Sequence, residues 1–189
     1  LCATLAFSAM QNNDKVGLVL FSDIIEKYIP PKKGKKHVLR LITDIVNHDF
    51  DINKKKTSIK NAIDFANKIS KRKSVIFLIS DFIDNNFFNE LKFLNFKHDL
   101  IGLQIYDSFE RDFPNIGLVN IHDSETGKKA WIDTSSKKNR ENFLKDSNSK
   151  LDLFSKKCKN IGFDLLQIST DDDYVKFLMQ FFRKRAKRS

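Results

Sequence analysis

The chain is poor in glycine, proline and cysteine, and these shortages exclude several functions. Its 189 residues include 6 Gly, 3 Pro and 2 Cys. The glycines form neither a GxGxxG fingerprint nor a Walker A loop, which argues against dinucleotide binding and P-loop chemistry. Cys2 and Cys158 lack CxxC spacing, so they predict neither a disulfide framework nor a zinc site and fit a reducing compartment. We therefore expect a cytoplasmic protein without a small-molecule cofactor.

The sequence also lacks a long apolar run and an excess of acidic residues. No run approaches the about 18 apolar residues that a membrane-spanning helix needs. The formal net charge is +10, and five basic residues lie near the end of the chain: Arg183, Lys184, Arg185, Lys187 and Arg188. This basic tail, residues 183–189, could meet an anionic membrane surface, although a solvated helix end is the simpler interpretation. Lysines elsewhere are scattered, so nucleic-acid binding is not expected.

Apolar residues recur with the periods of strands and helices along the rest of the chain. The pattern predicts strands at 16–21, 24–29, 75–79, 100–106, 116–121, 130–132 and 163–168. It predicts helices at 1–10, 38–46, 59–69, 87–94, 136–160 and 171–185. A tight turn joins the first two strands, which must then pair antiparallel, and Pro30 and Pro31 are expected to end the second. The alternation indicates an α/β fold over residues 1–182, with a doubly wound, mainly parallel sheet and helices on both faces.

One strand ends abruptly at a carboxylate. The apolar run 75–79 stops at Ser80 and Asp81, where open α/β sheets bind their ligands. Thr57 stands near the start of the preceding helix. A hydroxyl and a carboxylate brought together at a sheet edge can coordinate a hard cation such as Mg²⁺. Such residues also cap turns, so this pair is a candidate metal site only.

Motifs of catalysis are missing. The sequence has no GxSxG elbow, and its four histidines lack HExxH spacing. The acidic run 171–173 follows Thr170, a natural helix N-cap, and complements a helix dipole better than it predicts a metal cluster. Trp131 lies in an apolar segment, where core packing is expected rather than a stacking platform. No catalytic residue is predicted, and the protein is not expected to be an enzyme.

Several segments together resemble a known family. Residues 13–23 resemble the second-strand segment of von Willebrand factor A domains, and residues 29–40 resemble the bacterial branch called domain of unknown function 58. Further matches to that branch are Ser80-Asp81-Phe82, Glu125-Thr126-Gly127, Asp133-Thr134 and residues 169–174. The resemblance covers nearly the whole chain.

The resemblance implies a protein-binding role. Such proteins are usually encoded beside MoxR-type AAA+ ATPases and are thought to act with them in assembly or maturation of client proteins. A-domains commonly carry a metal-ion-dependent adhesion site made by three loops, and Thr57 and Asp81 match the second and third. The alternative is a metal-dependent hydrolase or phosphotransferase that uses Asp81 at the strand end.

The first loop of that site and the central first strand would precede Leu1. The resemblance therefore implies an N-terminally incomplete domain, with a gap between the strands at 16–21 and 75–79. Lys56-Thr57-Ser58 stands where the family often has Gly-Thr-Asp, with Lys54 and Lys55 just before it, and the three lysine charges would oppose a divalent cation. Mg²⁺ is thus an expectation for the complete protein, and none is expected here.

Overall fold

The structure is a computed structural model that describes residues 1–49, 57–84, 86–110, 112–122 and 129–187. Two compact units divide the chain: Leu1–Arg72 with Asp84–Leu94, and Lys73–Ile83 with Asn95–Ser189. The prediction of one domain over residues 1–182 stays a prediction. The turn residues Glu125, Thr126 and Gly127 and the lysines at 54–56 lie outside the described residues.

The first unit contains a two-stranded sheet and helices. Its elements are α1 (Cys2–Gln11), β1 (Val16–Phe21), β2 (Ile25–Lys32), α2 (Lys35–Val46), α3 (Ile59–Ile69) and the part of α4 (Phe88–Lys97) up to Leu94. β1 and β2 pair antiparallel, which confirms the prediction. The predicted end of β2 is wrong, because the strand continues through Pro30 and Pro31 to Lys32. An edge strand tolerates proline, whose missing N–H need not serve a second neighbour.

Apolar side chains at helical spacing build the core of the first unit. Its most completely buried side chains are Val38, Leu41, Ile59, Ile63, Phe87, Leu91 and Leu94. In α3, Ile59, Ala62 and Ile63 recur at the spacing that places them on one face, as the sequence predicts. Helix formation here thus depends on burying one apolar face.

The second unit contains the parallel sheet. Its elements are β3 (Val75–Ser80), β4 (Asp99–Tyr106), a 3₁₀ turn (Ser108–Glu110), β5 (Leu118–His122), β6 (Lys129–Asp133), α5 (Lys137–Asn160), β7 (Asp164–Ser169) and α6 (Tyr174–Ala186). β3, β4 and β7 form a parallel sheet in the order β3-β4-β7, and β5 and β6 form an antiparallel hairpin. Five consecutive residues of β4, Leu100 to Gln104, are buried, as its central position requires.

Helices contact both faces of the parallel sheet. On one face, Phe77 of β3 meets Phe182 of α6 with ring centroids 6.1 Å apart. On the other face, a Cβ on Gly102 would lie 2.4 Å from the ring of Phe163, so glycine lets that ring pack against β4. Phe154 of α5 belongs to the same aromatic cluster, through its contact with Phe82. These contacts agree with the predicted α/β architecture.

The basic tail differs from the sequence prediction at one residue. α6 runs to Ala186, so much of the basic tail is helical. Arg185 donates to Asp99 at the start of β4, and its Nη1 lies 2.9 Å from Asp164 Oδ2 at the start of β7. The predicted solvated tail is therefore wrong at Arg185, because this side chain joins two strand ends that the sequence does not reveal as neighbours. No helix within the described residues is long and apolar enough to cross a bilayer.

Candidate functional site

Asp81 lies in an exposed turn directly after β3. Its Oδ1 accepts hydrogen bonds from Ser80 Oγ at 3.2 Å and from the Ile83 backbone N–H at 3.1 Å. Ser80 Oγ also accepts the N–H of Phe82 at 3.1 Å. Residues 80–83, which we call the Asp81 turn, thus form a tight turn that presents a carboxylate at the carboxyl edge of the sheet. That edge is where ligands bind in open α/β sheets.

Phe82 gives the Asp81 turn its shape. Its φ is 60°, in the left-handed region, which a bulky residue adopts only at a cost. The ring is 7% exposed and lies 5.3 Å from the Phe154 ring and 6.4 Å from the Phe163 ring, centroid to centroid. Burying this aromatic side chain offsets the backbone strain. The anchored ring therefore holds Asp81 outward.

Two glutamine side chains hold the Asp81 turn in place. The register of the sheet aligns three residues on neighbouring strands: Ser80 on β3, Gln104 on β4 and Gln167 on β7. Gln104, 7% exposed, donates from Nε2 to the backbone oxygen of Asp81 at 3.0 Å. Gln167 Nε2 in turn donates to Gln104 Oε1 at 2.8 Å. A polar pair inside an apolar sheet stays stable only when its hydrogen bonds are made, so it specifies one position for the turn.

Sequence reasoning missed both glutamines. Each interrupts an apolar strand, Gln104 in Leu103-Gln104-Ile105 and Gln167 in Leu166-Gln167-Ile168. A polar residue inside a strand that is buried on both faces needs a partner. The interruption of each apolar strand by a glutamine was the signal for this pair. Two such glutamines on neighbouring parallel strands can hydrogen-bond to each other.

The neighbouring strand ends add further carboxylates to this edge. Asp171 accepts a hydrogen bond from Ser108 Oγ, and Asp172 Oδ2 accepts from the Ser169 N–H at 2.8 Å. The predicted N-cap at Thr170 is wrong. Asp173 caps α6 by accepting from the Lys176 N–H at 3.3 Å, because residues 170–172 first complete the turn after β7.

Thr57 lies in the other unit, exposed and two residues before α3. The residues directly after it are hydrogen-bonded to the two residues that follow β1. Ser58 N–H donates to Ser22 O at 2.9 Å, and Asn61 Nδ2 donates to Asp23 O at 2.7 Å. Asp84 Oδ2 accepts from the Ile59 N–H at 2.7 Å and places a negative charge at the helix N-terminus, where the dipole favours it. The start of α3, which follows Thr57, is thus held by hydrogen bonds.

Thr57 and Asp81 only partly meet the needs of a divalent cation. Thr57 and Asp81 supply oxygen atoms, the ligand type that Mg²⁺ prefers. They belong to different units, so their predicted convergence stays a prediction. Within the described ranges, no group of three or more His, Cys, Asp or Glu side chains could hold a metal ion. The oxygen atoms of Thr57 and Asp81 are of the type that Mg²⁺ prefers, but two residues are too few to hold the ion.

Trp131 corrects a sequence expectation. Core packing was expected, but the side chain is 64% exposed. The period-2 pattern explains the outcome, because Trp131 alternates with Ala130 and Ile132 and shares its strand face with Lys129 and Asp133. The two charged neighbours at i−2 and i+2 were the signal that this ring points to solvent.

Cys158 contrasts with these exposed groups. It is 1% exposed, and burial raises the pKa of its thiol to about 12. A thiol that stays protonated is a poor nucleophile and a poor metal ligand. Cys158 is therefore a core residue of α5.

A parallel sheet with helices on both faces and an acidic turn at its carboxyl edge defines an α/β protein of the open-sheet class. The chain belongs to the family described as Protein of unknown function DUF58, whose model matches residues 1–151. Among solved structures it is similar to a conserved hypothetical protein, BatB, from Bacteroides thetaiotaomicron. The TM-score is 0.54 at 15% identity, over 98% of this chain and 87% of that one. This likeness supports the fold alone.

Curated relatives come from mycobacteria. The chain is 20% identical over 191 residues to uncharacterized proteins of Mycobacterium tuberculosis, Rv1480, and Mycobacterium bovis, Mb1516. These alignments cover 98% of this chain and 58% of each relative, so the chain spans little more than half the length of those proteins. It is 24% identical over 132 residues to the uncharacterized protein MAV169 of Mycobacterium avium, covering 68% of this chain and 76% of that relative.

Proposed function

We propose that this chain is the protein-binding part of a longer cytoplasmic protein that works with a MoxR-type AAA+ ATPase in the assembly or maturation of client proteins. Within the α/β class, its fold is von Willebrand factor A-like and lacks the first strand of such domains. The observation that carries the proposal is the Asp81 turn, where a strained backbone and the buried Gln104, itself held by Gln167, present an exposed carboxylate at the edge of the sheet.

The strand pairing supports the von Willebrand factor A-like fold. Among the described residues, β1 hydrogen-bonds with β2 alone, and β3 with β4 alone. Each of these strands therefore has one unpaired edge of backbone N–H and C=O groups, the kind of edge at which a further strand adds. Val75 at the start of β3 is 58% exposed, which also fits a strand with a vacant side. In von Willebrand factor A domains, the first strand would pair with such an edge.

The two strand-end sites support a binding role. Thr57 and Asp81 are both exposed. Hydrogen bonds hold the carboxylate of Asp81 itself and, beside Thr57, the backbone of Ser58. Rigid presentation lowers the entropy that binding costs. In the longer protein, the oxygen atoms of Thr57 and Asp81 would contact hydrogen-bond donors of the partner protein. This role needs neither a nucleophile nor a general base.

Binding of the ATPase tests the proposal. The full-length protein and its Asp81→Asn variant would be titrated with the MoxR-type ATPase of the same organism, followed by calorimetry. We expect Asp81→Asn to weaken binding at least about tenfold, since a lost charged contact typically costs more than about 1.4 kcal/mol. The matched control is Asp152→Asn, an exposed aspartate on α5, which should bind like the wild type.

Equal affinities for the wild type and Asp81→Asn would contradict the proposal. Turnover of a phosphate ester by the full-length protein, abolished by Asp81→Asn, would instead favour the hydrolase alternative. That alternative requires a nucleophile or a second carboxylate that acts together with Asp81. Asp171 and Asp172 are the carboxylates of the same sheet edge to test next.

A further inference from the structure

The amino edge of the parallel sheet gathers basic residues from distant parts of the chain. Four segments of the second unit lie there: 73–75 at the start of β3, 95–99 from α4 into β4, 157–164 from α5 into β7, and 183–187 at the end of α6. They carry eight basic side chains: Lys73, Lys97, Lys157, Lys159, Arg183, Lys184, Arg185 and Lys187. Their acidic side chains are Asp99 and Asp164. These four segments, which we call the basic edge, therefore have a strongly positive net charge.

Direct contacts join the four segments of the basic edge. The Asp99 N–H donates to Ser74 O at 2.9 Å, which connects the starts of β3 and β4. Asn95 Nδ2 donates to Gly162 O at 3.1 Å, which connects the end of α4 to the turn after α5. Arg185 connects the end of α6 to the first residues of β4 and β7. The fold thus brings together lysines that are scattered along the sequence.

Most of the positive charge at the basic edge remains accessible to a partner. Asp99 and Asp164 both form ion pairs with Arg185, which is half-buried. The other seven basic side chains of the edge are exposed. Three helices end here in basic residues, which complements their dipoles and also collects the charge on one side of the unit. A surface of this kind attracts anionic partners.

Two large apolar side chains stand among these charges. Phe96 is 89% exposed and is followed by Lys97, and Val75 is 58% exposed. Val75 lies opposite Asp99 in the register of β3 and β4, and Phe96 precedes Asp99 by three residues, so both belong to the same edge. Exposed apolar groups among lysines and arginines are typical of a surface that binds a bilayer. The apolar groups enter the interface there, and the basic groups contact anionic headgroups.

We propose that the basic edge is a docking surface for an anionic membrane. Charge complementarity carries the proposal, because basic side chains from four separate segments match a broad array of anionic headgroups better than one acidic protein segment. Single-stranded nucleic acid is less favoured, since it binds to several aromatic rings in succession and Phe96 is the exposed ring of these four segments. The proposed surface involves neither Thr57 nor Asp81, so it is independent of the protein-binding role.

Sedimentation of the full-length protein with lipid vesicles tests the proposal. Vesicles of phosphatidylcholine alone would be compared with vesicles that also contain phosphatidylglycerol. We expect the anionic vesicles to bind at least about tenfold more tightly, because several basic side chains lie close to the lipid surface. Added salt should weaken this difference, since it screens exposed charges.

Reversal of charge at the basic edge should abolish most of this binding. The first triple variant changes Lys159, Lys184 and Lys187 to Glu. Each basic residue near an anionic surface strengthens binding about fivefold, so the affinity for anionic vesicles should fall at least about a hundredfold. The melting temperature should change little, because all three side chains are exposed.

A second triple variant with the same net charge is the matched control. It changes Lys138, Lys145 and Lys150 to Glu, three exposed residues of α5. Along the helix they lie at least roughly 14 Å from Lys159, beyond the screening length of about 10 Å. This variant should bind anionic vesicles nearly as tightly as the wild type.

Phe96 tests the apolar contribution separately. Phe96→Ser should weaken binding to anionic vesicles at least about fivefold, because the ring no longer enters the lipid interface. Phe109→Ser is the matched control, since Phe109 is 60% exposed and follows β4 at the opposite edge of the sheet. It should bind like the wild type.

Several results would overturn the proposal. One is equal binding to neutral and anionic vesicles. Another is a first triple variant that binds anionic vesicles no more weakly than the second. Tighter binding of duplex DNA than of anionic vesicles would assign the basic edge to nucleic acid. Tighter binding of polyglutamate, unaffected by Phe96→Ser, would assign it to an acidic protein.

Discussion

The two edges of the parallel sheet are held by different chemistry. At the amino edge, Arg185 joins the starts of β4 and β7 through ion pairs with Asp99 and Asp164. At the carboxyl edge, the amides of Gln104 and Gln167 support the Asp81 turn, and an exposed carboxylate remains outside. The charged groups of Arg185, Asp99 and Asp164 at the amino edge are thus paired with one another, whereas the carboxylate of Asp81 at the carboxyl edge remains exposed.

This difference separates stability from function. A charge that is already paired within the fold interacts only weakly with a partner protein. The exposed carboxylate of Asp81 can interact with such a partner. α6 connects the two edges, because it begins at the Asp173 cap and ends beside Arg185. Changes to the ion pairs at the amino edge should therefore alter stability alone, and changes at the carboxyl edge should alter binding as well.

The largest effect is expected for Gln104→Leu. The substitution leaves Asp81 O and Gln167 Nε2 without their partner, at a cost of about 3 kcal/mol of unfolding free energy for the two groups. Urea unfolding would measure it. The double variant Gln104→Leu with Gln167→Leu should cost less than the two single changes together, because it removes the orphaned amide. Additive losses would mean that the two amides act independently.

Arg185→Ala should cost somewhat less, about 2 kcal/mol. Its side chain is 22% exposed, which places the ion pairs between exposed pairs and buried ones. The guanidinium also lies 5.7 Å from the centre of the Phe181 ring, so some packing is lost. Lys184→Ala is the neighbouring control and should stay within about 0.5 kcal/mol of the wild type. If both variants melt alike, the tail is not docked.

Asp173→Ala should cost about 1 kcal/mol, the usual value for a lost N-cap. Asp173→Asn keeps an oxygen that accepts the Lys176 N–H and should recover most of that loss. Thr170→Val tests the cap that the sequence predicted, and we expect little change in stability. A larger loss for Thr170→Val than for Asp173→Ala would restore the sequence prediction.

The smallest effect is a pH dependence at the amino edge. His98 is 5% exposed, and neither ring nitrogen has a hydrogen-bond partner. Burial, with a smaller contribution from the charge of Lys97, lowers the pKa of His98 below its ordinary 6.5. The unfolded chain therefore binds a proton more readily than the folded one, and stability declines as the pH falls below about 6.5.

His98→Leu should remove this decline. Melting temperatures of the variant and the wild type, recorded from neutral to acidic pH, should diverge in slope only on the acidic side. Parallel curves over that range would show that His98 does not titrate separately in the two states.

Sequence reasoning located most elements because their apolar periodicity is strong. The buried strands at Val75–Ser80 and Asp99–Tyr106 and the long helix Lys137–Asn160 were predicted within a residue or two. Gly162, with φ 66°, directly follows the C-cap Ile161 of α5, the position where glycine commonly ends a helix. Local signals such as these depend on neighbours in sequence, which a single chain displays.

Long-range contacts could not be predicted in the same way. Arg185 meets Asp99 and Asp164 only because three elements converge, and nothing in the local sequence of the tail indicates it. Asp81 was identified from a strand that stops at a carboxylate, but the support from Gln104 depends on strand order and register. Trp131 was misplaced because its apolar neighbours outweighed the alternation with Lys129 and Asp133.

The central claim is that Thr57 and Asp81 act as one binding site in the longer protein. A double-mutant cycle on binding of the MoxR-type ATPase tests it most directly, with Thr57→Val, Asp81→Asn and the pair in the full-length protein. We predict that each single change weakens binding at least about tenfold and that the pair is little worse than either alone, since residues of one site are strongly coupled. Losses that simply add, or no loss from Thr57→Val, would contradict the claim.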